Sequence, residues 1–386
     1  MTQADAAAAR VSVDLRLEDV SKSFGSVVAL RPSSLAVDAG LLISLLGPSG
    51  CGKTTTLRII AGFEAPDTGR VLIAGQDVSD LPPNRRRLGM VFQNYSLFPH
   101  MTVGENVAFG LTVAGMDREE KGRRVKAILD LVRLPGFEDR FAHQLSGGQQ
   151  QRIALARSLV TNPSVLLLDE PLGALDKNLR ESMQFELRRI QQSLGITTIL
   201  VTHDQEEALT MSDRVAVMNH GAILQYGSPT EVYEHPRTRF VSEFLGTSNL
   251  FRGRLVASTT GAGAQVEVPR DGAPSIVLRM PKKVEATSVG GSALVAIRPE
   301  KMRLTKLSTS TLANGADAVA ATVIDYVFRG TYHAYQVGVA GRSEPLFVYQ
   351  QAIDADGQGI FPAGSDVRVT WSPENVVILA DDGTSP

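Results

Sequence analysis

The sequence has almost no thiol or indole chemistry: one cysteine, one tryptophan, and aromatic residues at only 6% of the chain. A single cysteine, Cys51, cannot close a disulfide within the chain, which fits a reducing compartment. Excess charge is also missing. Lys and Arg total 39 against 41 Asp and Glu, a net charge of −2, so no global basic field argues for nucleic acid. No run approaches the ~20 apolar residues of a membrane span, so direct membrane insertion is not expected. Met1 to Arg10 is alanine-rich but has neither a basic n-region nor an apolar core of signal-peptide length. The expectation is a protein kept inside the cell, whose membrane role, if any, comes through partners.

What is present is an ordinary globular composition: 43% apolar and 21% charged over 386 residues, enough for two or three domains. The chain is organised around Gly47 to Thr55. An apolar run, Leu41 to Leu46, precedes this stretch and a helix-like run, Leu57 to Ala61, follows it. Gly47, Gly52, Lys53 and Thr54 meet the pattern G-x-x-x-x-G-K-[ST]. Glycines let successive N–H groups face one anion, and a helix start adds its positive dipole end. Lys53 then reaches the β- and γ-phosphates, and the Thr54 hydroxyl suits Mg²⁺. The glycines do not fit the dinucleotide pattern G-x-G-x-x-G. Within the loop, Cys51 reads as a small residue that the turn accommodates.

Taken in order, Val11 to Phe24 alternates in part and reads as an edge strand. Val27 to Leu30 and Leu35 to Val37 read as two more short strands of a small antiparallel sheet, with Phe24-Gly25 in the turn. Phe24 has two readings, a ring stacked on a purine base and a core aromatic. Val71 to Gly75 and Leu88 to Gln93 are strand-like, and Arg85-Arg86-Arg87 between them reads as a solvated face. From about Met101 to Ala142 the period turns helical, as in an inserted helical subdomain. Ser146 with Gln149 fits a capping box, which puts Ser146 at a helix N-terminus and makes a second anion site.

Val165 to Leu168 and Thr197 to Val201 are continuous apolar strands, hence buried on both faces. Asp169-Glu170 and Thr202-His203-Asp204 follow at their C-terminal ends, where open α/β sheets bind ligands. A carboxylate pair there is hard to explain as structure, because buried charges need partners. Asp176 to Leu194 reads as a helix, and Asn219-His220-Gly221 as a hairpin turn. Past about Arg239 the pattern becomes short strands with turn residues between them: Ser275 to Met280, Leu294 to Arg298, Ala318 to Asp325, Tyr335 to Val339, Leu346 to Tyr349, Val367 to Trp371 and Val376 to Leu379. Ser258 to Gly263 reads as a loop, and the whole as an all-β barrel or sandwich.

The phosphate loop, Leu-Ser-Gly-Gly-Gln at 145 to 149, Leu-Leu-Leu-Asp-Glu-Pro at 166 to 171 and Val-Thr-His-Asp at 201 to 204 occur in that order. Together they resemble the nucleotide-binding subunit of an ATP-binding cassette (ABC) transporter, over about Val13 to Tyr233. The resemblance implies an α/β P-loop domain over 13–236, with a helical subdomain at about 101–160. It implies that the loop residues Gly47, Pro48, Ser49, Gly50, Cys51, Gly52, Lys53, Thr54 and Thr55 hold ATP. Phe24 stands where the family has a base-stacking aromatic. Thr54, Gln93 and Asp169 resemble the Mg²⁺ set. Glu170 resembles the general base and His203 the switch histidine. Ser146, Gly147, Gly148 and Gln149 resemble the signature that completes the site of a second subunit, and Asp176 lies in the loop that crosses that interface.

The implied unit is a homodimer with two ATP molecules, working with two membrane permeases and an external solute-binding protein at the cytoplasmic face of the cell membrane. The apolar stretch Tyr95, Leu97, Phe98, Pro99 resembles the region that receives the permeases; buried loop packing is the alternative. Residues 240–386 resemble the OB-type (TOBE) accessory domain of bacterial importer ATPases, through Leu245 to Asn249, Ile297-Arg298-Pro299-Glu300, Phe328-Arg329-Gly330 and Trp371-Ser372-Pro373-Glu374. They are similar to the spermidine/putrescine branch, with import of ferric iron, phosphonate, other ions or sugars as alternatives. Soluble cassettes of DNA repair fit poorly, because the stretch from Met101 to Ala142 is too short for a long coiled coil. Cassettes of translation carry two copies per chain. A regulatory module gated by ATP is the remaining rival; Glu170 and His203 argue for turnover.

Overall fold

A computed structural model of the protein describes residues 12–173, 175–257, 264–281, 290–307, 317–352 and 359–381. The chain divides into two units between Val232 and Tyr233. The first carries β1 (Leu15–Phe24), β2 (Val27–Val37), β3 (Leu42–Leu46), α1 (Lys53–Ala61), β4 (Thr68–Ile73), β5 (Gln76–Asp77) and β6 (Leu88–Val91). Helices α2 (Val103–Val113), α3 (Arg118–Leu131) and α4 (Gly147–Leu159) follow. Next come β7 (Val165–Asp169), α5 (Lys177–Leu194), β8 (Thr197–Thr202), α6 (Gln205–Met211), β9 (Arg214–Asn219) and β10 (Ala222–Gly227). The division falls within α7 (Pro229–Glu234).

A six-stranded sheet in the order β10-β9-β3-β8-β7-β6 forms the centre, parallel except for the β9–β10 hairpin. Residues 165–168 and all of β8 are buried, as parallel strands covered on both faces must be. The hairpin turns through His220 and Gly221, both at positive φ, as a tight two-residue connection requires. Helices cover the sheet by their apolar stripes: α5 buries Met183, Leu187 and Ile190 at i, i+4 and i+7. Asp176 starts α5 by accepting from the Leu179 amide at 3.0 Å, and Gly195 ends it in the left-handed region. Helices α2, α3 and α4 all lie between β6 and β7 in the chain.

Three expectations are corrected. Strand β1 is not an edge strand: it pairs with β2 on one side and β4 on the other, in the order β2-β1-β4-β5. Val11, where that run was expected to begin, lies outside the described residues. Strand β2 is one strand of 11 residues rather than two short ones. It passes through Pro32 at a break in register, on the sheet edge where a missing N–H is tolerated. Arg86 is not on a solvated face. It is buried, and its guanidinium donates to the carbonyls of Leu81 (2.8 Å), Ile59 (2.7 Å), Ile60 (2.9 Å) and Ser79 (2.8 Å). Two of these carbonyls, Ile59 and Ile60, lie in the last turn of α1, where Ile59 also accepts from the Gly62 amide at 3.2 Å, so Arg86 caps the helix that starts at the phosphate loop.

The second unit holds α8 (Arg239–Phe244) and ten strands: β11 (Asn249–Ala257), β12 (Ala264–Arg270), β13 (Ala273–Arg279), β14 (Ser292–Ile297), β15 (Met302–Lys306), β16 (Asp317–Phe328), β17 (Tyr332–Gly338), β18 (Leu346–Gln351), β19 (Asp366–Trp371) and β20 (Val377–Leu379). They form two antiparallel five-stranded sheets, β13-β12-β11-β14-β20 and β15-β19-β16-β17-β18. Burial alternates along β16 and β19, as expected for sheets with one face on a shared core. That core includes Phe251, Val295, Leu304, Tyr335 and Trp371. The loop expected at Ser258 to Gly263 and the N-terminal stretch Met1 to Arg10 lie outside the described residues.

Candidate functional site

Four segments that carry candidate site residues leave from neighbouring strands. The phosphate loop follows β3, His203 follows β8, Glu170 follows β7, and Gln93 lies two residues beyond β6. These strands are adjacent and parallel in the order β3-β8-β7-β6, so the sheet delivers all four segments to one edge, at its C-terminal ends. Strand order is what gathers residues that stand far apart in sequence.

In the loop, Lys53 begins α1, and its ammonium donates to the carbonyls of Gly47 at 2.6 Å and Pro48 at 2.9 Å. Lys53 is buried, so the loop wraps a fixed positive charge. Gly47 and Gly52 are dictated by contact. A Cβ on Gly47 would lie 2.3 Å from the Met218 oxygen, and one on Gly52 2.5 Å from the Ala29 oxygen. Gly50, by contrast, has open space where its Cβ would be, and its φ of +77° is what favours glycine there. Burial pushes the Cys51 thiol pKa up, against the opposing charge of Lys53, so Cys51 is a neutral packing residue. Thr54 is exposed and Thr55 half-buried at the start of α1.

Glu170 is clamped. Its Oε2 accepts from Gln93 Nε2 at 3.1 Å, and its Oε1 lies 3.2 Å from His203 Nδ1. Its backbone takes a left-handed φ of 45°, uncommon for a residue with a side chain. The Glu170 amide donates to the Val201 carbonyl at 2.9 Å, which fixes the turn against β8. Neighbouring Asp169 is half-buried. Its pKa is raised by burial first and by the Glu170 charge second, with Arg58 and Lys53 opposing. Asp169, Thr54 and Gln93 each offer an oxygen of the kind a hard divalent cation takes. Among the described residues no cluster of three or more His, Cys, Asp or Glu forms a self-sufficient metal site.

Phe24 ends β1 and is 47% exposed, with Lys22 Nζ 5.4 Å from its ring centre. That removes the core reading and leaves a free π face. Ser146 is the N-cap of α4 in a capping box: its amide donates to Gln149 Oε1 at 3.0 Å, and its hydroxyl accepts from the Gln149 amide at 3.4 Å. Gly147 and Gly148 form the first turn, whose amides have no partner within the helix. A Cβ on Gly148 would lie 3.2 Å from the Leu179 side chain, a tight contact, and one on Gly147 3.4 Å from the Leu175 side chain. Ser146 and Gln149 thus bond to each other within their own helix start.

Sequence reading missed Arg157 of α4. It donates to the carbonyls of Ser96 at 2.7 Å and Tyr95 at 2.9 Å and lies over the Phe98 ring. Tyr95 and Ser96 both hold positive φ, so the segment after Gln93 is strained and Arg157 holds it. Tyr95 is buried and Leu97 and Phe98 are half-buried, so packing accounts for part of this apolar stretch.

Residues 30–173 match the family model described as ABC transporter, and residues 295–379 that of the TOBE domain. Over 94% of the chain and 92% of its counterpart, the protein is 49% identical to the spermidine/putrescine import ATP-binding protein of Acidothermus cellulolyticus. It is 46% identical to the protein of the same description from Thermobifida fusca, over 95% of this chain and 93% of the other. Among solved structures, a cassette from Clostridium perfringens, part of the cbiONQ transporter complex, aligns at a TM-score of 0.54 and 31% identity, covering 57% of this chain and 91% of that one. A dimeric cassette in a post-hydrolysis state with ADP and Pi aligns at 0.50 and 34%, covering 56% and 98%. The chain belongs to the ATP-binding cassette transporter family, as an α/β P-loop nucleotide-binding unit followed by an all-β, OB-like TOBE unit. It is an ATPase subunit.

Proposed function

We propose that this ATPase powers import of a polyamine such as spermidine or putrescine, through two separate permease subunits fed by an external solute-binding protein. The polyamine rests on full-length likeness to proteins named for that import. The observation that carries the catalytic part is the convergence of the phosphate loop, Gln93, Asp169, Glu170 and His203 on the C-terminal ends of four adjacent parallel strands. The nucleotide-binding domain is taken as 13–236 and the TOBE domain as 240–386, and the working unit as a homodimer on the cytoplasmic face of the cell membrane.

In this reading the amides of Gly47 to Thr55 and the Lys53 ammonium hold the ATP phosphates, and Phe24 stacks on the base. Thr54, Gln93 and Asp169 would hold Mg²⁺, which supplies charge neutralisation on the phosphates. Phosphoryl transfer to water is mostly positioning and electrostatics. Glu170 accepts the proton of the attacking water, held in place by Gln93 and His203 at its two oxygens. His203, beside Glu170, would offer the γ-phosphate a hydrogen-bond donor. Ser146 to Gln149 and the Asp176 loop complete the partner's site, the signature through the free amides of its first turn.

The test is ATP hydrolysis in vesicles that hold the chain with its two permeases. Spermidine-loaded binding protein is expected to raise the rate. Stimulation by ferric iron or a sugar with its own binding protein, and none by polyamine, would overturn the solute assignment and leave the ATPase intact.

A further inference from the structure

Arg180 lies in the first turns of α5 and takes no part in the nucleotide cluster. One guanidinium nitrogen, Nη1, donates to Asp204 Oδ2 at 3.0 Å, and the other, Nη2, to the Leu175 carbonyl at 3.1 Å. Leu175 immediately precedes Asp176, and Asp204 immediately follows His203. One planar fork thus spans two loops that belong to different strands. Both ends of this bridge are themselves fixed. Asp176 caps α5 through the Leu179 amide. Asp204 caps α6, its Oδ1 accepting from the Glu206 amide at 2.8 Å and the Glu207 amide at 3.2 Å. The Asp204 amide donates to Thr202 Oγ1 at 3.0 Å, and that hydroxyl donates to buried Glu207 at 2.6 Å. His203 therefore stands between two anchored neighbours, and Arg180 is the group that joins this anchor to the Asp176 loop.

We infer that Arg180 is a positioning residue for ATP hydrolysis, which ties the loop of Asp176 to His203 so that the placement of one sets the placement of the other. The inference rests on the reading of Glu170 and His203 given above. The pair is partly exposed, at 31% for the Arg180 side chain and 22% for Asp204, and such pairs add little to stability. A lysine could keep the charge opposite Asp204, but its single nitrogen cannot hold two partners in a fixed fork. Stability and geometry can therefore be separated.

The experiment compares Arg180→Ala, Arg180→Lys, Asp204→Asn and the Arg180→Ala/Asp204→Asn double variant in the full chain. Asparagine keeps the helix cap and loses the ion pair. Steady-state ATP hydrolysis gives kcat and KM for Mg-ATP, and calorimetry gives the melting midpoint. Each single variant is expected to lower kcat by about tenfold or more, as a misplaced catalytic group does. KM is expected to stay within about twofold, since phosphate contacts are untouched. The double variant is expected to be no slower than the slower single, the mark of one shared pathway. Arg180→Lys is expected to remain slow. Rates within about twofold of wild type, multiplicative losses in the double variant, full recovery with lysine, or a change confined to KM would each overturn the inference. If Arg180→Ala also lowers the melting midpoint, Asp204→Asn with its cap intact decides. A Glu170→Gln control run alongside separates the readings: normal turnover there removes Glu170 as base, whatever Arg180 does.

Discussion

Replacing Arg86 by alanine tests whether the phosphate-loop helix is held by a side chain that looks, in sequence, like a surface arginine. The guanidinium is 3% exposed and makes four hydrogen bonds to carbonyls, two of them at the end of α1. At about 1 kcal/mol net each, these sum to about 4 kcal/mol. Some of the freed carbonyls would gain water, which brings the expected loss to about 3 kcal/mol. For a unit of this size that lowers the melting midpoint by roughly 6 to 12 °C. The only tryptophan, Trp371, lies in the second unit, so helical circular dichroism, not fluorescence, is the signal that follows the first. Arg86→Lys should recover less than half, because an ammonium cannot reach carbonyls on three segments at once. A loss below about 1 kcal/mol, the size of an exposed contact, would refute the argument and mean that Arg86 is hydrated in solution.

Three further outcomes follow from the same geometry. Asp169 and Glu207 both have carboxyl pKa values raised chiefly by burial. The folded state therefore binds their protons more tightly than the unfolded one, and stability falls as pH rises from the ordinary carboxylate range through the raised values. Asp169→Asn should raise the nucleotide-free melting midpoint at neutral pH while weakening the Mg²⁺ dependence of ATP binding; a lower midpoint would contradict the burial argument. Glu207→Gln keeps an acceptor for the Thr202 hydroxyl and should flatten the pH dependence of the midpoint in mildly acidic buffer, read by calorimetry. A chain ended after Pro236 should melt cooperatively with a midpoint that rises with Mg-ATP; loss of nucleotide response would make the TOBE unit part of the cassette core.

The motif residues were legible because their chemistry is local. A phosphate loop needs Gly47, Gly52 and Lys53 at fixed offsets, and the contacts of Gly47 with Met218 and Gly52 with Ala29 restate that need. Ser146 with Gln149 was legible for the same reason, as both ends of a capping box lie within four residues. What escaped depends on partners far away in sequence. Nothing local says that Arg86 folds back onto α1, that Arg180 reaches Asp204, or that β1 gains β4 as a second neighbour. Strand β11 was missed because Arg252, Gly253 and Arg254 break its apolar alternation. Gly253 is there because a Cβ would come within 2.4 Å of the Glu267 oxygen on β12. Strands β12 and β15 escaped for a related reason: one carries Pro269, and the other is only five residues long with Arg303 and Lys306 among them. The left-handed φ of Glu170 is likewise set by the turn that leaves β7 and bonds its amide to the Val201 carbonyl of β8, not by its own residue type.

The measurement that bears most directly on the account is ATP hydrolysis by Glu170→Gln. Glutamine is close in shape, so the phosphate and Mg²⁺ contacts should survive and ATP should bind with wild-type affinity or better, one carboxylate facing the phosphate having been removed. It cannot accept the proton of the attacking water, so turnover should fall by about 10²-fold or more. With Mg-ATP, size-exclusion chromatography should show a persistent dimer for the variant and mainly monomer for wild type. Near-normal turnover by Glu170→Gln would contradict the account at its centre, and the base would have to be sought elsewhere, at His203 first.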